Sequence, residues 1–281
     1  MASDSFKDSG SSRHSDGLVT TVAPEGSADV PAAPVEAAAW RRISLWRSFT
    51  YLMIPVVLLV LISGSLALAT QWAPPESVET VRFWFYFFDV GREINLPTWF
   101  SAGLWITAGI LAGYFARRAS RHRGSWALFC AVCMVFSIDE TLELHERLDV
   151  IGSELGRYLP LQLGFTWVIP GILIAGLIGL SLLRMVLGLP RSSRAGLLSA
   201  GIIFVAGGVG VETLSGLFVQ GDTLPWQFFL LTLVEESLEM TGIALGVAAL
   251  AHLIAYRPSS DRSTAFRVAN RPLPETGPAT P

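Results

Sequence analysis

The stretch Ser137-Ile138-Asp139-Glu140-Thr141-Leu142-Glu143-Leu144-His145-Glu146 closes a long apolar run and gathers five ionisable side chains where a lipid-facing helix would carry none. At about 100° per residue, Asp139, Glu143 and Glu146 fall within roughly a 60° arc of one helix face, with Glu140 and His145 on its flanks. A second group, Glu235, Glu236 and Glu239, lies inside a later apolar run, with Glu235 and Glu239 one turn apart on a common face. Glu212 stands alone in the run before it. Carboxylates beside one imidazole suit proton transfer, cation binding or both.

Burial decides how unusual this is. An ionised side chain in hydrocarbon costs on the order of 2.5 kcal/mol or more, and the three runs hold eight acids with no Lys or Arg in their cores. Three arrangements meet that cost: a bound cation, carboxylates that hold protons or line a wet vestibule, and an interhelical hydrogen-bond network. In the first, Asp139, Glu143, Glu212, Glu235 and Glu239 are the expected metal ligands, and His145 and Glu146 the expected proton-moving, catalytic groups. An all-oxygen shell suits Ca, Mg or Mn, and mixed carboxylate and imidazole ligation suits Fe or Zn, so the divalent cation stays unnamed. Di-iron bundles use two Glu-x-x-His pairs. Here the other histidines, His14, His122 and His252, lie in the tail or at the opposite ends of the helices. Cys130 and Cys133, one turn apart in an apolar run, read as small buried residues and imply no disulfide framework.

These residues must be positioned by membrane helices. Of the 281 residues 51% are hydrophobic and only 15% charged, too few for the surface of a soluble domain of this size. Six runs are long enough to cross about 30 Å of hydrocarbon: near 50–70, 98–116, 125–146, 165–184, 196–217 and 225–254. Arg41, Arg42 and Arg47, then Arg117, Arg118, Arg121 and Arg123, then Arg184, Arg191 and Arg194, and finally Arg257 and Arg262 all fall on one side of a six-helix arrangement. Such clustering marks the cytoplasmic side. The expected fold is an all-α polytopic membrane bundle, with both termini cytoplasmic. Residues 1–38 and 258–281, rich in Ser, Gly, Pro, Ala and Asp or Arg, are expected to be disordered cytoplasmic tails flanking a membrane domain at 39–257. The aromatic run Phe83–Phe88 is too short to span and is expected in the headgroup zone, as an interfacial belt or as a lid over a lateral entrance.

The segment Phe88-Asp89-Val90-Gly91-Arg92-Glu93-Ile94-Asn95-Leu96-Pro97-Thr98-Trp99, followed by the Asp-Glu…His-Glu pattern of residues 139–146, resembles a group of uncharacterised bacterial multipass membrane proteins. The resemblance covers about residues 80–255 and implies no activity. It adds Asp89, Glu93 and Asn95 to the candidate residues. Acids and a histidine near helix ends are also similar to membrane-embedded metal hydrolases of lipid amides, but those carry several histidines on a late helix, where this chain has only His252.

Two functions are therefore expected. One is a metal-dependent enzyme of a bacterial inner, cytoplasmic membrane, acting on a membrane lipid or lipid-linked substrate from the non-cytoplasmic side. The other is a cation- or proton-coupled transporter or a non-catalytic accessory subunit. No basic field suits a nucleic-acid partner.

Overall fold

The computed structural model describes residues 40–158, 164–216, 226–258 and 264–268. Five of its helices are long and apolar enough to cross a membrane: α1 (Leu45–Trp72), α3 (Leu96–Arg118), α4 (Arg123–Leu142), α6 (Val168–Leu187), and α7 (Arg191–Val205) extended through a π turn at Ala206–Val211 into α8 (Glu212–Ser215). A further long helix, α9 (Trp226–Ala251), has 26 residues, but its middle holds Glu235, Glu236 and Glu239. Every 18-residue stretch of it contains all three, and that is what separates it from the other five. The shorter helices α2 (Val78–Phe88) and α5 (Asp149–Gly156) connect the long ones. The expected tail at 1–38 lies outside the described residues.

Helix packing without water relies on close approach and cross-helix hydrogen bonds, and the sequence supplies both. Gly109 of α3 faces α4 so closely that a Cβ there would overlap the Met134 methyl. Ser137 Oγ donates to the Ala102 carbonyl at 3.1 Å across the same pair. On α9, Ala244, Ala248 and Ala249 are wholly buried, and Gly242 lies against the α7 backbone at Ala200 and Phe204. Helix α9 is thereby the central strut, packed on α1, α3 and α7.

Helix α6 behaves differently along its length. Its first turn (Val168, Pro170) and its end (Leu182, Met185, Val186) are buried, the end in a core shared with Phe115, Trp126 and Leu250. Its middle is exposed at Ile172, Leu173, Leu177 and Leu180. Pinned at both ends and free between them, α6 leaves a cavity behind it.

Three boundaries depart from expectation. Helix α4 ends at Leu142, short of Glu146, because Glu143 takes a left-handed conformation (φ 49°) and its N–H bonds the Asp139 carbonyl. That turn is a common helix stop. Helix α9 ends at Ala251, and Ile254–Pro258 (β2) starts a small antiparallel sheet with Arg41–Arg42 (β1) and Thr264–Val268 (β3), in the order β1-β2-β3. The all-α expectation is corrected to that extent. Residues 264–268, expected in a disordered tail, form a strand because Thr264, Phe266 and Val268 alternate with small or polar neighbours, a pattern that suits a paired strand. The sheet holds Trp40, whose ring lies under Arg257 and Arg267, 5.3 Å and 4.3 Å away, and His252 Nδ1 lies 2.7 Å from the Ile43 carbonyl.

Candidate functional site

The left-handed turn at Glu143 folds the chain back on α4, and this sets the geometry of the first acidic group. The next residues, Glu146–Leu148, form one 3-10 turn. As a result, His145 comes back beside Asp139: the His145 backbone N–H donates to Asp139 Oδ1 at 2.7 Å, and His145 Nδ1 lies 3.0 Å from Asp139 Oδ2. A carboxylate partner assigns the ring proton to Nδ1, so Nε2 keeps its lone pair. Asp139, Glu143 and Glu146 therefore do not share one helical face; Asp139 and His145 form the pair instead. Burial opposes charging His145, but the hydrogen bond and charge of Asp139, with Glu212 and Glu146, bring its pKa above the usual histidine value.

The other face of the His145 ring packs edge-on against Trp167, with centroids 4.6 Å apart. Trp167 is held from two sides. Asp149 Oδ1 accepts from its backbone N–H at 2.6 Å and from Thr166 Oγ1 at 2.8 Å, which fastens the start of α6 to α5. Gly171 leaves room for the indole, since a Cβ there would lie 2.6 Å from it. So fixed, Trp167 Nε1 donates to Glu212 Oε1 at 2.7 Å. Glu212 is only 9% exposed, and this donor accounts for its tolerance of burial.

A parallel arrangement holds Glu140. Trp105 Nε1 donates to Glu140 Oε1 at 3.1 Å, and the Trp105 ring stacks on Phe136 at 4.8 Å with Phe204 edge-on at 5.2 Å. From α9, Glu235 neighbours Glu212 and Glu239, and Glu236 neighbours Glu140. The π turn of residues 206–211 brings Gly207 and Gly208 against α9. A Cβ at Gly208 would overlap Glu239 Oε1, and one at Gly207 would lie 2.9 Å from the Glu235 carbonyl. These two glycines form the notch that lets the α9 acids approach α7.

The loop before α3 closes the acidic end. Asn95 caps α3 by accepting from the Thr98 N–H at 3.2 Å, while its Nδ2 donates to the Asp89 carbonyl at 2.6 Å. Val90 N–H donates to the buried Ser63 Oγ of α1 at 3.2 Å. This places Glu93 at the acids: burial first, then Glu140 and Glu143, push its carboxyl up to about 8. Its Oε2 is buried without a hydrogen-bond partner. Glu146, at the rim, is raised by burial and then by Glu143. Asp89 is raised by burial against the Gly91 N–H and Arg92.

The seven residues expected as ligands or proton-moving groups (Asp139, Glu143, His145, Glu146, Glu212, Glu235 and Glu239) line one cavity of about 1450 Å³, together with Glu140 and Glu236; of the three added by the resemblance, Glu93 lines it and Asp89 and Asn95 do not. The cavity continues from this polar end along apolar walls behind α6, past Val135, Ile178 and Ile202. Among the described residues, no group of three or more His, Cys, Asp or Glu is placed to hold a metal ion. Asp139, Glu140 and Glu212 are each turned to a separate donor. Cys130 and Cys133 are free thiols at the α3 contact, with Cys133 buried and packed 3.4 Å from a Cβ built at Gly109. The sequence reading missed Trp105 and Trp167. Tryptophans one helix away from isolated acids were the available signal, since an indole N–H seeks an acceptor in an apolar setting.

One family model matches a segment that takes in α2 to α9 and three quarters of α1. The chain belongs to the DUF8692 family, a domain of unknown function, whose model matches residues 52–253. The matched range contains every carboxylate of the cavity and both indole donors, and leaves out the sheet beyond Leu253. No curated protein and no solved structure matches the chain.

Proposed function

We propose that this chain is a six-helix protein of the bacterial cytoplasmic membrane, with both termini cytoplasmic, that acts on a lipid or lipid-linked substrate at a site opening to the non-cytoplasmic side. In this reading α9 is the sixth span, and its glutamates are sheltered by α7 and the cavity. The basic groups at both termini, between α3 and α4 and between α6 and α7 favour that orientation.

One observation carries the reading. The Asp139–His145 pair opens onto the polar end of a cavity whose remaining walls are apolar and whose volume, about 1450 Å³, exceeds that of ordinary small-ligand pockets. An aliphatic chain would lie behind α6 with its head at the carboxylates. His145 Nε2 would take a proton from the reacting group, or from water attacking it, while Asp139 holds the ring in the required tautomer and stabilises the imidazolium that forms. Glu146, at the rim, would donate its own proton to the leaving group and regain one through solvent from the His145 imidazolium.

The test is conversion of lipid. The purified full chain in nanodiscs is incubated with bacterial lipid extract, and lipids are followed by mass spectrometry. At least one species is consumed by the wild type, and His145→Gln lowers that rate by a factor of about 10² or more. A lipid profile unchanged by the wild type overturns the enzymatic reading. Elemental analysis of the same preparation adds a check: stoichiometric metal lost in Glu235→Gln would reassign the carboxylates to ligation.

A further inference from the structure

We propose that the molecule taken into the cavity is a cationic amphiphile: an aliphatic chain whose head carries an amine or quaternary ammonium and no phosphate. The proposal rests on the reading above, that the cavity holds a lipid-like molecule, and adds the charge of its head.

The wall chemistry is one-sided. Nine carboxyl groups and a single histidine line the cavity, and among the described residues no Lys or Arg does. None of the arginines at this end of the bundle lines the cavity, and Arg147, next to Glu146, is exposed. Arg92 stacks over the Tyr86 ring at 4.3 Å, Arg157 pairs with Glu154 at 2.9 Å, and Arg82 with Glu79 at 3.7 Å. A phosphate head would enter among acids with no cation to meet it, and each acid that ionises in that weakly hydrated site would repel it. An ammonium would find acceptors at once. Glu93 Oε2, buried without a partner, is one of them. The faces of Trp105, Phe136 and Phe204, in contact with one another beside Glu140, supply the quadrupole that attracts alkylammonium groups.

An independent observation points to an occupant of the apolar part. Glycine weakens a helix relative to alanine, so a helical glycine with no packing need calls for another explanation. At Gly171, Gly207 and Gly242 a Cβ would collide with Trp167, the Glu235 carbonyl and the α7 backbone. At Gly176, Gly179 and Gly201 it would meet nothing within 4 Å, and all three line the cavity. Gly176 and Gly179 lie about 12 to 16 Å along α6 from its start beside Trp167. Their missing side chains keep open the space that an alkyl chain anchored at the carboxylates would fill.

The experiment uses the full chain in nanodiscs of phosphatidylcholine, with dodecylamine, dodecanol and dodecyl phosphate as probes, and binding followed by native mass spectrometry. The amine is expected to bind about tenfold or more tighter than the alcohol, and the phosphate more weakly than either. Glu93→Gln and Glu236→Gln weaken the amine alone. Gly179→Phe, at a position where the added side chain meets open space, weakens amine and alcohol together. Equal binding of amine and alcohol, or tightest binding of the phosphate, overturns the cationic head while leaving the amphiphile cavity standing. Failure of all three probes, with Gly179→Phe indifferent, overturns the cavity's occupancy itself. If Glu236→Gln does not fold, the half-buried Glu93→Gln carries the charge test alone.

Discussion

Replacing Asp139 with Asn tests the pair at the centre of the site. The carboxylate receives two hydrogen bonds from one residue, from the His145 backbone at 2.7 Å and from its ring at 3.0 Å. An amide can keep the first through its oxygen, but its NH2 then faces Nδ1. The ring must release its Nδ1 proton and take the other tautomer, or break the contact. A hydrogen bond to a charged partner contributes about 1.5 to 3 kcal/mol net, and with the His145 side chain 32% exposed the lower end applies after screening. With that much lost from the protonated ring, Asp139→Asn is expected to lower the His145 pKa. The sign for stability follows from the raised native value. The pair stabilises the fold fully below the ordinary histidine pKa, and this contribution is lost as pH rises through the raised one. The assay is the pH titration of histidine ring 15N shifts in nanodiscs; the chain has 4 histidines, and His145→Gln assigns the signal. Wild-type shifts should report the Nδ1–H tautomer above the pKa. A His145 signal that titrates identically in wild type and Asp139→Asn, or shows the Nε2–H tautomer in the wild type, refutes the reasoning.

Trp167→Phe keeps a ring over Gly171 but removes the indole donor of the buried Glu212 Oε1; leaving that oxygen without it costs about 1 to 3 kcal/mol, read as a fall in Tm of roughly 2 to 12 °C, and an unchanged Tm would mean that another donor takes its place. Gly207→Ala drives a methyl toward the Glu235 carbonyl whereas Gly210→Ala meets open space, so the first should be less stable than the second by about 1 to 3 kcal/mol in matched denaturation curves. Glu93, pushed up to about 8 by burial and by Glu140 and Glu143, binds its proton more tightly in the folded state than in the unfolded one. Its contribution therefore declines as pH rises from the ordinary carboxyl range to about 8; Glu93→Gln should flatten that decline in Tm, and parallel profiles would show that Glu93 does not cause it.

The long helices were legible because their signal is compositional: Leu, Ile, Val and Ala sustained over the length of a bilayer, punctuated by arginine clusters. The two least legible boundaries lie where local periodicity and backbone conformation part company. Residues 139–146 continue a helical pattern of acids, yet Glu143 adopts φ 49° and ends the helix, and nothing in a periodicity count penalises a non-glycine residue for doing so. The pairing of His145 with Asp139 follows from that one dihedral angle and was out of reach of helical geometry. The convergence of Glu212 on α9 was partly visible in Gly207 and Gly208, which pack against α9, but the π turn that directs them depends on hydrogen-bond offsets that the residue types do not encode. Strand β3 was hidden for another reason: five residues of moderate β propensity pair only because β2 leaves α9 beside them.

The choice of tryptophan as the partner of two carboxylates bears on how the cavity works. An arginine near Glu140 or Glu212 would satisfy its hydrogen bonding and also cancel its charge, leaving little for a third party to bind. An indole N–H donates once, cannot accept, and brings no charge. Trp105 and Trp167 thus hold Glu140 and Glu212 in place at 3.1 Å and 2.7 Å while leaving the second oxygen of each carboxyl group uncommitted by them. A bundle that needed only to bury acids would gain more from a countercharge or from replacing them with apolar residues. Keeping ionisable carboxyl groups, positioning them with neutral donors and leaving glycine-lined space beside them are three features that agree if a balancing positive charge arrives with a ligand.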